Sequence, residues 1–160
     1  MDDGIGIRAQ RPTDQEPARE GWPLNDVLIR HRLLALDRRY LFALPNITVG
    51  RVTGEIVHEL EQIAVEYETL LRGGASISPR FSEAAVRVKI GDALGSAAWA
   101  SEALQDPERA RSLFIAAALI YARAGAAEKA RRCRMELDRL NFYRADAGPV
   151  AARDARSAVR

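Results

Sequence analysis

His31, His58 and Cys133 are the only side chains of their types among the 160 residues of this sequence, and they bound the chemistry it can host. Glu55 and His58 stand at a Glu-x-x-His spacing, which puts a carboxylate and an imidazole on one helical face, where together they can bind a metal. A di-metal site needs further inward-facing carboxylates and commonly a second such motif, and the sequence contains no second Glu-x-x-His. Glu55 also belongs to an acidic face with Glu59, Glu61, Glu66 and Glu68, so a solvated surface is the expected reading, with no metal and no cofactor. Cys133 would need a histidine base to act as a nucleophile, and neither His31 nor His58 lies near it in sequence. A lone cysteine makes no intrachain disulfide and no thiolate cage, and its place on the apolar phase of a helix predicts a small core residue. Gly91-Asp92-Ala93-Leu94-Gly95 lacks the following lysine and the preceding strand of a phosphate-binding loop.

The elements that would position these residues are helical. Residues 1–21 mix Gly, Pro, Gln and charges without an apolar period and are expected to form a disordered leader. A single all-α domain is expected over 22–143, followed by a flexible Arg/Ala-rich tail over 144–160. Six helices are predicted. The first runs from about Leu24 to Leu44, ended by Pro45-Asn46, and its apolar residues cover a wide face. The second runs from about Thr53 to Arg72, where Ile56, Leu60, Ile63, Tyr67 and Leu70 form a narrow seam of coiled-coil type. Its acidic outer face suits Arg30, Arg32, Arg38 and Arg39 of the first helix, so the two are expected to be antiparallel neighbours. Ser78-Pro79 opens a third helix that ends near Gly91, and a fourth covers about Leu94 to Gln105. Asp106-Pro107-Glu108 starts a fifth that Gly125 closes, and the sixth spans about Ala127 to Leu140.

Phe81, Ala84, Ala85 and Val88 recur at the spacing of Phe114, Ala117, Ala118 and Tyr121, offset by 33 residues, each set followed by a glycine, Gly91 or Gly125. The pattern resembles the tetratricopeptide repeat over 79–142. Ala103-Leu104 and Asp106-Pro107 match that family's closing positions. Arg134 departs from it where a large apolar residue is usual, and the first repeat is one residue short before its glycine. The resemblance implies a right-handed array of two helical hairpins preceded by two helices. It further implies a non-catalytic adaptor or assembly module whose groove, lined by Val86, Lys89, Ile90, Ile115, Leu119 and Arg123, takes a peptide or protein partner. An array of two hairpins leaves apolar ends, so a homodimer through the second helix's seam is also expected. A different resemblance rests on Arg51 and His58, whose Arg-x(4–6)-His spacing is similar to that of HEPN-type ribonucleases; the polar residue usual after the arginine is here Val52.

Charge and hydropathy narrow the partners. The formal net charge is +2, too small to argue for nucleic acid, although the helix from Leu24 and the region from Lys129 to Arg144 are basic. Glu128, Glu136 and Asp138 interrupt the latter stripe. A nucleic-acid-associated regulator is therefore the alternative reading. The first ten residues lack the apolar run of a secretory signal, and no uncharged stretch is longer than Ser112 to Ala122, which is too short to span a bilayer. A cytoplasmic protein without membrane contact is expected.

Overall fold

The structure is a computed structural model that describes residues 24–73 and 82–147. Among these there is no strand, and there are five α-helices: α1 (Leu24–Thr48), α2 (Gly54–Arg72), α3 (Glu83–Ala103), α4 (Pro107–Arg123) and α5 (Ala127–Ala147). The chain is all-α. The expected leader, the Ser78-Pro79 start, Phe81 and residues 148–160 of the expected tail lie outside the described residues.

Each helix packs chiefly on its neighbours in sequence, and α1 also touches α3. Thr53 caps α2 by accepting from the Ile56 amide, Ser82 caps α3 through Ala85, and Asp106 caps α4 through Arg109, with Pro107 in the first turn. The α3–α4 turn holds Gln105 at φ 62°, and the α4–α5 turn holds Gly125 at φ 73°, where glycine carries no side-chain penalty.

Four boundaries differ from expectation. α3 starts at Glu83 behind its Ser82 cap, later than the expected start at Ser78-Pro79, and α5 runs past Leu140 to Ala147, so residues 144–147 of the expected flexible tail are helical. α1 runs through Pro45 to Thr48, because half-buried Ile47 packs against the core; the chain turns only at Gly50, at φ 71°. The third and fourth expected helices are one unbroken helix, so the hairpin predicted around Gly91 is not formed. An interior glycine costs a helix about 1 kcal/mol, and buried Ala93, Ala97, Ala98 and Ala100 on the same helix outweigh it. Gly91 has a packing role instead. A Cβ there would lie 2.6 to 2.9 Å from three ring atoms of Tyr121, so α4 approaches α3 this closely only because the side chain is absent.

Two connected clusters make the core. Leu33 and Leu36 of α1 meet Ile63, Ala64 and Tyr67 of α2 and Val86, Ile90 and Ala93 of α3. Phe114, Ala117, Ala118 and Tyr121 of α4 meet Ala97, Ala98 and Ala100 of α3 and Ala130, Cys133 and Leu140 of α5. The α2 seam expected to join two copies is consumed here: Leu60, Ile63 and Tyr67 are buried within the chain. The expected pairing of α1 with α2 is present, with Arg39 donating to Glu59 at 2.7 Å and to Glu66 at 2.6 Å.

Two outcomes follow. Gly91→Ala should lower stability by about 1–2 kcal/mol, since overpacking against a ring tied by its hydroxyl exceeds the gain in helix propensity; an unchanged or raised melting temperature would remove the close approach as a constraint. The Arg39 hydrogen bonds hold the Glu59 carboxyl below its usual range, so this pair's contribution is complete above the ordinary carboxylate pKa and is lost as pH falls through the lowered one. Arg39→Met should therefore flatten the acid limb of a plot of stability against pH, below about pH 4, and leave its slope above pH 6 unchanged.

Candidate binding groove

α2 and α4 both rest on α3 and leave a groove of about 540 Å³ between them. Ala64, Ile90 and Leu94 lie at its base. Exposed Val65 stands on the α2 wall, and Leu119, 56% exposed, stands with half-buried Ile120 on the α4 wall. Arg109 of α4 bridges to Glu61 of α2 through Nε at 3.1 Å and Nη2 at 2.8 Å, so one wall is tied to the other. Toward the C-terminal ends of both helices the groove is bordered by Glu68 and Arg123. Glu68 is taken by Arg72 at 2.7 Å, whereas Arg123 is exposed and has no carboxylate partner among the described residues. An apolar trough with paired acids and one free cation can hold apolar side chains and orient a carboxylate.

The six residues expected to line a groove divide. Ile115, Leu119 and Arg123 are exposed on α4, and the latter two line the trough. Ile90 is at its base, while Val86 is fully buried beneath α1 and α2. Lys89 is not a groove cation: its Nζ lies 2.5 Å from Asp37 of α1, which also accepts from the Tyr67 hydroxyl. The first hairpin's expected surface is thus filled by the chain itself. The α2 wall lies on the face whose acids point to solvation, and its one signal in the residues is Val65 among Glu61, Gln62, Glu66 and Glu68, an apolar residue where solvent alone asks for none.

The polar side chains that do converge lie elsewhere, between α3 and α5, beside a cleft of about 410 Å³. Asp92 Oδ1 accepts from the Tyr121 hydroxyl and from Lys129 Nζ, each at 2.6 Å, and Lys129 stands 5.5 Å from the centre of the Tyr121 ring. The Tyr40 hydroxyl is 3.0 Å from Ser96 Oγ and reaches the Asp92 carbonyl at 3.4 Å. Burial, reinforced by Asp92, pushes the Tyr121 phenol well above its ordinary pKa, so it stays a donor and serves as no base. Burial likewise raises the Cys133 thiol, which disfavours the nucleophilic thiolate. The arrangement is a clamp.

His58 is exposed and lines the groove; Arg51 is exposed in the α1–α2 connection, and no hydrogen bond joins them. Glu55 is exposed and lines a cleft between α2 and α1 with Arg38 and Phe42, and among the described residues no group of three or more His, Cys, Asp and Glu is placed to hold a metal ion. The basic stripe on α5 is partly neutralised by Arg131 and Arg132 on Glu128 and by Arg139 on Glu136 and Glu102. No described helix is long and apolar enough to cross a membrane. No protein-family model, curated protein sequence or solved structure matches this chain.

The burial of Cys133 has a direct readout. In the native chain at neutral pH a thiol reagent should modify it only as fast as the α4–α5 contact opens, and at once in denaturant. Equal rates in the two conditions would place the thiol on the surface.

Proposed function

We propose that this chain is a non-catalytic interaction module that receives a peptide segment of a protein partner along the α2/α4 groove. Val65, Leu119 and Ile120 would supply apolar contact, and Arg123 would fix register by holding a carboxylate. The observation that carries this reading is the state of the side chains: the polar groups that converge, Asp92, Tyr121 and Lys129, are tied to one another and Cys133 is buried. His58 lines the groove with no hydrogen bond to Arg51, and the groove keeps open apolar walls and an arginine without a carboxylate among the described residues. On this reading α2–α3 and α4–α5 act as two tetratricopeptide-like hairpins, shifted toward the N-terminus from the register that Gly91 suggested. The second helix then belongs to the array, and its outer face is a wall.

Selection of a random peptide library on the full chain tests the proposal. Enriched peptides should combine apolar residues with an acidic one. Leu119→Glu should weaken them about tenfold or more, with the melting temperature unchanged, because the removed side chain is already over half exposed. Arg123→Glu should shift selection from acidic to basic peptides. Enrichment equal on the wild-type and Leu119→Glu chains would refute the groove as the site.

A further inference from the structure

α1 has a second apolar face that nothing among the described residues covers. Its inner edge, Leu33, Leu36 and Ala43, is buried against α2 and α3. On the opposite side Val27, Leu34 and Leu41 recur every seventh residue, and Leu28, Ala35 and Phe42 form a second row beside them; all six are exposed, Leu41 at 62% and Phe42 at 82%. A strict seven-residue repeat over three turns of the pattern is the requirement of a partner helix lying along α1, since isolated exposed side chains need no period. The opposite end of the array differs. There the exposed charged residues, among them Glu128, Arg131, Arg132, Arg134 and Asp138, outnumber the exposed large apolar ones, Met135 and Phe142.

Charge decides what closes it. At 100° per residue His31 and Arg38 fall between the two apolar rows, at the polar positions of the seam, and Arg32 flanks it. Arg32 and Arg38 are exposed and take no carboxylate among the described residues. A second copy of this chain would oppose these groups with the same groups. In parallel register Arg38 would meet Arg38, and in antiparallel register it would meet the stretch holding Arg30 and His31. Of the acids of α2, Glu59 and Glu66 are held by Arg39, Glu61 by Arg109 and Glu68 by Arg72. That leaves only Glu55, in the first turn, without an ion pair among the described residues, one acid for the three polar groups of the seam. A cation within a heptad seam selects a partner with an acid at the facing position.

We infer that the outer face of α1 docks an amphipathic helix of a protein partner, with apolar residues at heptad spacing and acidic residues at the seam positions that meet His31 and Arg38. This surface is distinct from the α2/α4 groove, so the chain would hold two partner segments at once.

Two labelled synthetic helices of about three heptads test it, identical in their leucine rows and carrying either Glu or Lys at the seam and flanking positions. Anisotropy with the full chain should show the Glu peptide binding and the Lys peptide binding at least about tenfold more weakly, with the preference shrinking as salt rises. Arg32→Glu with Arg38→Glu should invert the preference, which a generally sticky surface would not do. Leu41→Ser with Phe42→Ser should abolish binding of both peptides at unchanged melting temperature, and Leu119→Glu should leave it intact, separating this face from the groove. Absence of binding by the Glu peptide, or equal binding of both, overturns the inference. So does a sedimenting dimer that Leu41→Ser with Phe42→Ser dissolves, which would make a second copy the occupant. A fall in melting temperature with that double substitution would mean that the chain covers the face itself, and also overturns it.

Discussion

Everything downstream of α3 hangs on the approach of Tyr121 to Gly91. With no side chain at Gly91 the ring reaches the α3 backbone, and its hydroxyl then arrives at Asp92, the next residue along the same helix. Asp92 in turn takes the Lys129 ammonium, so a single carboxylate oxygen ties α4 and α5 to α3. Charge-assisted hydrogen bonds of this kind are directional as well as strong, and a half-buried acid with two donors fixes the angle at which helices cross better than apolar contact alone. The groove inherits that geometry, since α3 is its base and α4 one of its walls. A second acid, Asp37, plays the matching role on the N-terminal side, joining α1 to Tyr67 of α2 and Lys89 of α3. Two aspartates therefore set the relative placement of all five helices, and neither is left free for chemistry.

Much of this was legible in the residues. The α2 seam, the acidic and basic faces of α2 and α1, the Asp106-Pro107 start and the Gly125 turn all rest on local rules, and each element stands where those rules put it. What failed was any feature whose meaning is set by a distant residue. A glycine followed by an aspartate ends a helix or admits a neighbour, and the spacing is the same in both cases; here a tyrosine thirty positions later decides for the neighbour. Pro45 likewise would end an isolated helix, yet the last turn of α1 is held by packing of Ile47. The candidate surface suffered in proportion. Ile115, Leu119 and Arg123 rest on the well-formed second hairpin and remain open, whereas Val86 and Lys89 rested on the hairpin that does not form and are enclosed by α1 and α2.

The wide apolar face of α1 has a related explanation. A helix with one partner needs one stripe, and apolar residues spread round the cylinder mean either burial on all sides or two separate contacts. Only the inner contact is present in the described chain. Period separates the remaining outer residues from scatter: Val27, Leu34 and Leu41 keep seven-residue spacing, whereas exposed Val49 lies beyond the helix, just before the turn at Gly50.

The distribution of arginine joins the two surfaces into one argument. A chain with so many arginines and a net charge of +2 must cancel most of them, and many described ones are cancelled locally: Arg39, Arg72, Arg87, Arg109, Arg111, Arg131, Arg132 and Arg139 each hold a glutamate. Such pairs add little stability at exposed sites, but they remove the long-range field that would draw nucleic acid to the whole surface. What survives is local. Among the described residues Arg32, Arg38, Arg51, Arg123 and Arg134 are exposed without a carboxylate, and of these Arg123 stands at the mouth of the groove and Arg32 and Arg38 along the outer seam of α1, each beside exposed leucines. A lone cation next to apolar area is a poor site for a polyanion, which needs many phosphate contacts at once, and a good one for a protein segment that brings hydrophobic side chains with a single carboxylate among them.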